Sequence, residues 1–330
     1  MAAGHPAHVG QPLRAPPGDR WLRGPRPAAA PYDHRRGPVK PARRLAAALL
    51  LVASGTAGAL PDTAGAVRRG YVEAQSGQVH YRYAAPGTTA RVQAPVALFH
   101  LSPNSGQVFS DLLPLLARDR VAVAFDTPGY GMSDPLPDPQ TIAAYAGQLA
   151  SAMAALGLDS GVDLVGYHTG AAIALELAQR YPAQAGRLAL VAVPVLTAEE
   201  RAAGAALPPI PFDEAGDWAK QEWQRSWRWR GPGQDRQSVL ATFAEKLRPG
   251  VRERGATAVL AYDTAAALER ATAPLLLVRP RDDLWIATGR AHALRPDAGW
   301  VELPDFGHGL FHAAPRRMDA ILRDFLDAAD

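Results

Sequence analysis

The sequence predicts an α/β fold: a mostly parallel eight-stranded sheet with helices on both faces and an inserted helical segment. Three observations carry this. From residue 70 onward, short apolar runs of strand length alternate with segments of helical period. Several of those runs are apolar at every position, as strands covered on both faces require. One stretch, 195–270, interrupts the alternation with a helical pattern of its own and four of the seven tryptophans.

The elements follow in order. "GYVEAQSGQVHYRYA" alternates on either side of Ser76-Gly77, as two strands of an antiparallel hairpin would. "PVALFHL" (95–101) and "RVAVAFD" (120–126) read as buried strands, with a helix expected over 105–117 between them. Residues 141–158 carry helical spacing and strong helix formers. A strand at 162–167 is followed by a helix at 170–181 and a strand at 187–194. After the insertion come a strand at 274–280, a helix at 286–294, a strand at 300–305 and a closing helix at 316–327. Right-handed crossovers then leave few topologies, and reactive groups gather at the carboxyl ends of the strands. The expected organisation is a leader over 1–66, a core over 67–194 and 271–330, and a helical lid over 195–270.

Charge excludes one class of partner. Residues 1–66 carry nine Lys or Arg against three Asp or Glu, whereas residues 67–330 carry 26 against 29. The basic balance of the whole chain therefore belongs to the leader, and the folded body offers no footprint for a nucleic acid. No run of eighteen apolar residues occurs, so no integral membrane span is expected. With no cysteine in the chain, disulfides and thiolate chemistry are excluded. Oligomeric state is not legible.

Within the leader, Lys40, Arg43 and Arg44 precede an apolar run at 45–53 and two small-residue patterns, Ala57-Gly58-Ala59 and Ala64-Gly65-Ala66. That is the layout of a secretory signal peptide, with Val39 as a conceivable start. The competing reading is a wrongly extended reading frame ahead of a domain that begins at Val67. The first implies export, the second a cytoplasmic protein.

The motif that carries chemistry is "DLVGYHTGAAIALELA" (163–178), a strand, a sharp Gly-x-His-x-Gly turn and a helix. Four further stretches stand in register with it: "FHLSPNSG" (99–106), "FDTPGYGMSD" (125–134), "RPRDD" (279–283) and "DFGHGLF" (305–311). Together they resemble the α/β-hydrolase fold family, in its lidded branch, across residues 70–330. The resemblance implies a nucleophile elbow at His168, an acid at Asp283 and a histidine at His308, in the family's chain order. It implies an oxyanion hole from the backbone N–H groups of Ser102 and Thr169. Asp282 is the alternative acid, the other aspartate capping the helix that follows. The departures are His168, where serine is usual, and Leu101-Ser102 in the oxyanion loop, where a bulkier Leu101 narrows the entrance.

A histidine on this turn has a physical rationale. The unpaired N–H groups of the following helix disfavour an imidazolium, so the His168 pKa is expected to fall and the neutral ring to act as a nucleophile. His308, oriented by Asp283, would then activate water. The expected activity is cofactor-independent hydrolysis of a small apolar ester or related carbonyl substrate. The alternatives are a non-covalent lyase or isomerase using the same pocket, and a pseudoenzyme or binding protein. Epoxide or haloalkane opening ranks low, because alkylated imidazole is a dead end. Trp223 and Trp227, four apart on one helix face, either wall the pocket or pack the lid onto the body. No metal is expected, since a helix N-terminus repels a cation beside His168. His80 and His292 are expected at the surface, and His100 as a hydrogen-bonded structural residue.

Overall fold

The computed structural model describes residues 60–87, 93–206, 213–248 and 250–328. Residues 1–59 of the expected leader over 1–66, with the basic and apolar parts of its signal-like segment, lie outside the described residues. The folded body starts upstream of Val67: the Thr63 hydroxyl donates to the Ala85 carbonyl (3.1 Å) and accepts from the Ala85 N–H (2.8 Å).

The chain runs β1 (Arg68–Ala74), β2 (Gly77–Ala84), β3 (Val96–Phe99), α1 (Leu113–Leu116), β4 (Ala122–Phe125), α2 (Ile142–Ala155), β5 (Val162–Tyr167), α3 (Thr169–Arg180) and β6 (Ala185–Val191). The inserted segment, the expected lid, follows as α4 (Ala198–Ala205), α5 (Asp217–Arg228), α6 (Arg236–Glu245), α7 (Val251–Leu260) and α8 (Thr264–Arg270). The core resumes with β7 (Leu275–Pro280), α9 (Trp285–Leu294), β8 (Gly299–Leu303), α10 (Leu310–Ala313) and α11 (Pro315–Leu326). The eight strands form one sheet in the order β1-β2-β4-β3-β5-β6-β7-β8. Only β2 runs against its neighbours, so the expected mostly parallel sheet is the one observed.

The central strands are buried on both faces, and two apolar clusters sandwich them. One includes Leu149, Met153, Ile173 and Leu177 from α2 and α3; the other includes Phe109, Leu116, Phe311 and Leu322. The helix expected over 105–117 is instead a 3-10 turn at Gly106–Phe109 and the single turn of α1. Pro114 lacks an N–H, so it sits only at the start of a helix, and the segment splits there. No helix among the described residues is long and apolar enough to cross a membrane.

Candidate active site

The elbow after β5 sets the site. His168 has φ 54° and ψ −114°, backbone values that a β-carbon disfavours. Such strain, roughly 1–3 kcal/mol, persists only where the surroundings enforce it. Here the flanking glycines do so. A β-carbon on Gly170 would collide with the Phe99 carbonyl, and one on Gly166 with the Gly170 carbonyl. Strand and helix therefore meet backbone to backbone, and the turn between them lifts His168 off the sheet.

The second support lies beneath β4. Asp126, fully buried, accepts from His80 Nδ1 (2.8 Å), Arg82 (3.0 Å) and the backbone N–H groups of Gly106 (2.9 Å) and Met132 (2.9 Å). Its carboxyl lies below the usual range: burial pushes it up, and these bonds and charges outweigh burial. One carboxylate thus ties the 99–106 loop to the 125–134 turn. His80, expected at the surface, is buried as part of this knot. His292, also expected there, is half-buried and stacks on Trp300 at 4.2 Å. His100 is structural as expected: Nδ1 bonds the Leu101 carbonyl and Nε2 accepts from the Thr127 N–H.

The loop after β7 and the loop after β8 bring up the remaining groups. The Asp282 carboxylate caps its own turn, accepting the Leu284 N–H at 2.9 Å, and its other oxygen reaches His168 Nε2 at 3.0 Å. Asp283 Oδ1 lies 2.8 Å from His308 Nε2 and 3.6 Å from His168 Nε2. The adjacent aspartates thus divide the work: Asp283 pairs with His308, and Asp282 both caps the turn and holds His168. Glycines flank His308 because its loop packs closely. A β-carbon on Gly307 would come within 3.0 Å of the Arg281 carbonyl, and one on Gly309 would strike Gln234 of the lid. The His168 and His308 rings stand 5.0 Å apart, and Trp229, at the end of α5, meets His308 edge-on at 5.6 Å.

The electrostatics reverse one expectation. Burial pushes the His168 pKa down, but the charges of Asp282 and Asp283 and the hydrogen bond to Asp282 carry it above the ordinary value. The helix N-terminus was expected to lower this value; two carboxylates at close range raise it instead. Asp283 is held far below the usual carboxylate range: burial raises it, and the His308 hydrogen bond and both imidazoles overcome that.

A cavity of about 650 Å³ joins this constellation to the lid, with His168, Asp283, His308, Leu101, Ser102 and Trp229 in its wall. Leu101 lines the cavity. Trp223 and Trp227 do not line the cavity. They stack on each other at 5.7 Å, with Phe243 edge-on to Trp223, because the stripe of α5 that faces the cavity is Glu222, Arg225, Ser226 and Trp229. Nor is the wall apolar: Arg69, Arg225, Lys246 and Arg252 lie in it.

The expected oxyanion donors differ in availability. The Thr169 N–H opens α3 and has no intrahelical acceptor. The Ser102 N–H faces the Thr169 hydroxyl at 3.3 Å, so a bound oxygen must displace that hydroxyl to reach it. The Ser102 hydroxyl donates to Tyr130, and Ser105 caps the 3-10 turn, which gives both serines structural partners. His168, Asp282, Asp283 and His308 also offer four donor atoms within 4.8 Å of one another, a set that suits a divalent transition metal. No metal was expected from the sequence, and the same four atoms already satisfy one another as imidazole–carboxylate pairs.

The sequence matches the alpha/beta hydrolase fold family over residues 94–245. Among solved structures, an esterase from a Rhodococcus species is similar, with 21% identity over 80% of this chain and 100% of its own, at a TM-score of 0.67. A thermophilic esterase from Thermogutta terrifontis shares 18% identity over 79% of this chain and 98% of its own, at a TM-score of 0.63. A bromoperoxidase from Bacillus anthracis shares 16% over 79% and 100%, at 0.64. These likenesses and the sheet order establish the α/β-hydrolase fold.

Proposed function

We propose that the protein hydrolyses a carbonyl substrate with two histidine–carboxylate pairs acting on one bound molecule, without a cofactor. The observation that carries this is the pairing of His168 with Asp282 and of His308 with Asp283, with the rings 5.0 Å apart in one cavity wall. With Nε2–H of His308 donated to Asp283, its Nδ1 is left to accept a proton from water, and that water attacks the carbonyl carbon. The oxyanion that forms is met by the Thr169 N–H, joined by the Ser102 N–H once the Thr169 hydroxyl is displaced. His168, favoured as an imidazolium by its carboxylates, stabilises the same oxyanion and protonates the leaving group. The bond broken is that between carbonyl carbon and leaving group; the products are the acid and the protonated leaving group.

The elbow geometry alone is equally suited to His168 as a covalent nucleophile. The raised pKa favours the acid role, because an imidazolium has no free electron pair to attack with. A panel of aryl esters sharing one acyl group separates the two. Direct water attack gives a kcat that varies with the leaving group, no burst, and no acyl group on His168. A stoichiometric burst, a common kcat and an acyl-His168 adduct would overturn it in favour of the covalent route. Solvent deuterium entering a carbonyl substrate without cleavage would assign the two pairs to an isomerase or lyase. Absence of any turnover by the folded protein would leave a binding protein.

A further inference from the structure

In the wall of the same cavity as the histidines, α5, α7 and the residue just past α6 converge on one carboxylate. Glu222 of α5 is buried, with its side chain 4% exposed. Arg252 of α7 bonds it directly, Arg225 of α5 lies 3.8 Å away and Lys246, just past α6, 4.0 Å away. Ser226 links the group, donating to Glu222 at 3.2 Å and accepting from Lys246 at 3.1 Å. All five residues lie in the wall of the cavity that holds His168 and His308.

One carboxylate therefore faces three cations. Glu245, beside Lys246, bonds Ser105 rather than these cations; burial raises its pKa, and its charge raises that of Lys246 less than Glu222 does. The crowding registers on the cations themselves. Burial lowers Lys246, Glu222 draws it back only in part, and Arg252 lowers it further; Arg225 falls through burial and the charge of Arg252. Gathering excess positive charge in a partly buried wall is unfavourable unless an anion compensates it. Guanidinium forks match the oxygens of a carboxylate or phosphate.

The stripe along α5 sets the distance. Glu222, Arg225, Ser226 and Trp229 follow helical spacing on one face, and Trp229 touches the His308 ring. We propose that Arg225, Lys246 and Arg252 form an anion subsite, which holds a carboxylate or phosphate carried by the substrate about one helical turn along α5 from the Trp229 end that meets His308. The substrate is then not the small apolar ester expected from the sequence, but an ester or related acyl compound with one charged end. Its reacting end rests on the hydrolase reading; the anion subsite does not.

The test compares the mono-p-nitrophenyl ester of suberic acid, its methyl-capped analogue and an analogue ending in phosphate. Calorimetry of free suberate and inorganic phosphate runs alongside. Wild type prefers a charged ester about tenfold or more in kcat/KM, the effect of one charge-assisted contact. That preference shrinks in high salt and approaches unity in the Arg225→Gln/Lys246→Gln double variant, and Arg225→Lys retains part of it. Whether the carboxylate or the phosphate series shows the larger preference identifies the group. Equal rates on charged and capped esters in wild type would overturn the subsite and leave the hydrolase reading standing. A preference that survives in the double variant would overturn the assignment to these residues. If no ester is turned over, the hydrolase reading fails and calorimetry decides alone. Suberate or phosphate binding that weakens about tenfold in the double variant sustains the subsite, and no binding of either by wild type overturns it.

Discussion

The two walls of the cavity are built on different principles. The sheet-side wall hangs from strand ends whose backbones touch: Gly166 and Gly170 admit no side chain, and buried Asp126 fastens two loops beneath it. The lid-side wall stands on helices α5 to α7, joined by ion pairs around Glu222 and by the Trp223–Phe243 ring contact. The first wall is held by close backbone packing and buried hydrogen bonds, the kind of support that positioned proton transfer needs. The second supplies charge over a broad face, enough to attract and orient a ligand. If the proposed roles hold, chemistry and selection sit on different walls, and the two should fail differently when altered.

The largest effects belong to the sheet side. His308→Ala and Asp283→Asn should lower kcat about 10²–10⁴-fold with little change in KM, because they remove the base and its support. Steady-state kinetics on any accepted ester checks this, and a loss confined to KM would break the distinction between the walls. Gly170→Ala should cost stability as well as activity, about 1–3 kcal/mol or more, since the added methyl meets the Phe99 carbonyl. Its counterpart on the lid is Gly216→Ala, at φ 76° with open space around it, which should cost only about 1 kcal/mol through backbone strain. Chemical denaturation of the pair measures the contrast, and equal losses would erase it.

A pH profile sharpens the comparison further. His168 lies above its ordinary value, so its charged pairing stabilises the folded state fully below the unfolded pKa and fades as pH rises through the folded one. Activity that needs the imidazolium should therefore fall on the alkaline side, at a pH above about 6.5. In Asp282→Asn that limb should move down. Each unit of displacement reduces activity at a pH above the limb by about tenfold. The smallest effect is expected from metal removal: exhaustive chelation should leave turnover unchanged. Loss with chelator and recovery with zinc would replace the paired imidazoles by a metal-activated water.

Much of the sheet side was legible in the sequence, because it is written in short local motifs. The strand–turn–helix at 162–181 fixes where His168 must stand, and the order of "RPRDD" and "DFGHGLF" brings Asp283 to His308. What was missed depends on contacts between distant segments. Nothing local distinguishes the roles of Asp282 and Asp283; the pairing of Asp282 with His168 emerges only when β5 and β7 end at the same edge. His80 read as a surface residue because it stands in an alternating strand, yet Asp126, 46 positions away, buries it. The lid was legible as helical, but not in its inward face. Trp223 and Trp227 drew attention by size, whereas the face that meets the cavity is charged and offset by one or two positions.

In the proposed mechanism Asp282 favours the protonated His168 ring, which works beside His308. Titrating the histidine ring resonances by NMR, in wild type and in Asp282→Asn, tests this most directly. His168 is expected to titrate above the ordinary imidazole value in wild type and to move down in the variant. A His168 ring already neutral well below that value in wild type would contradict it.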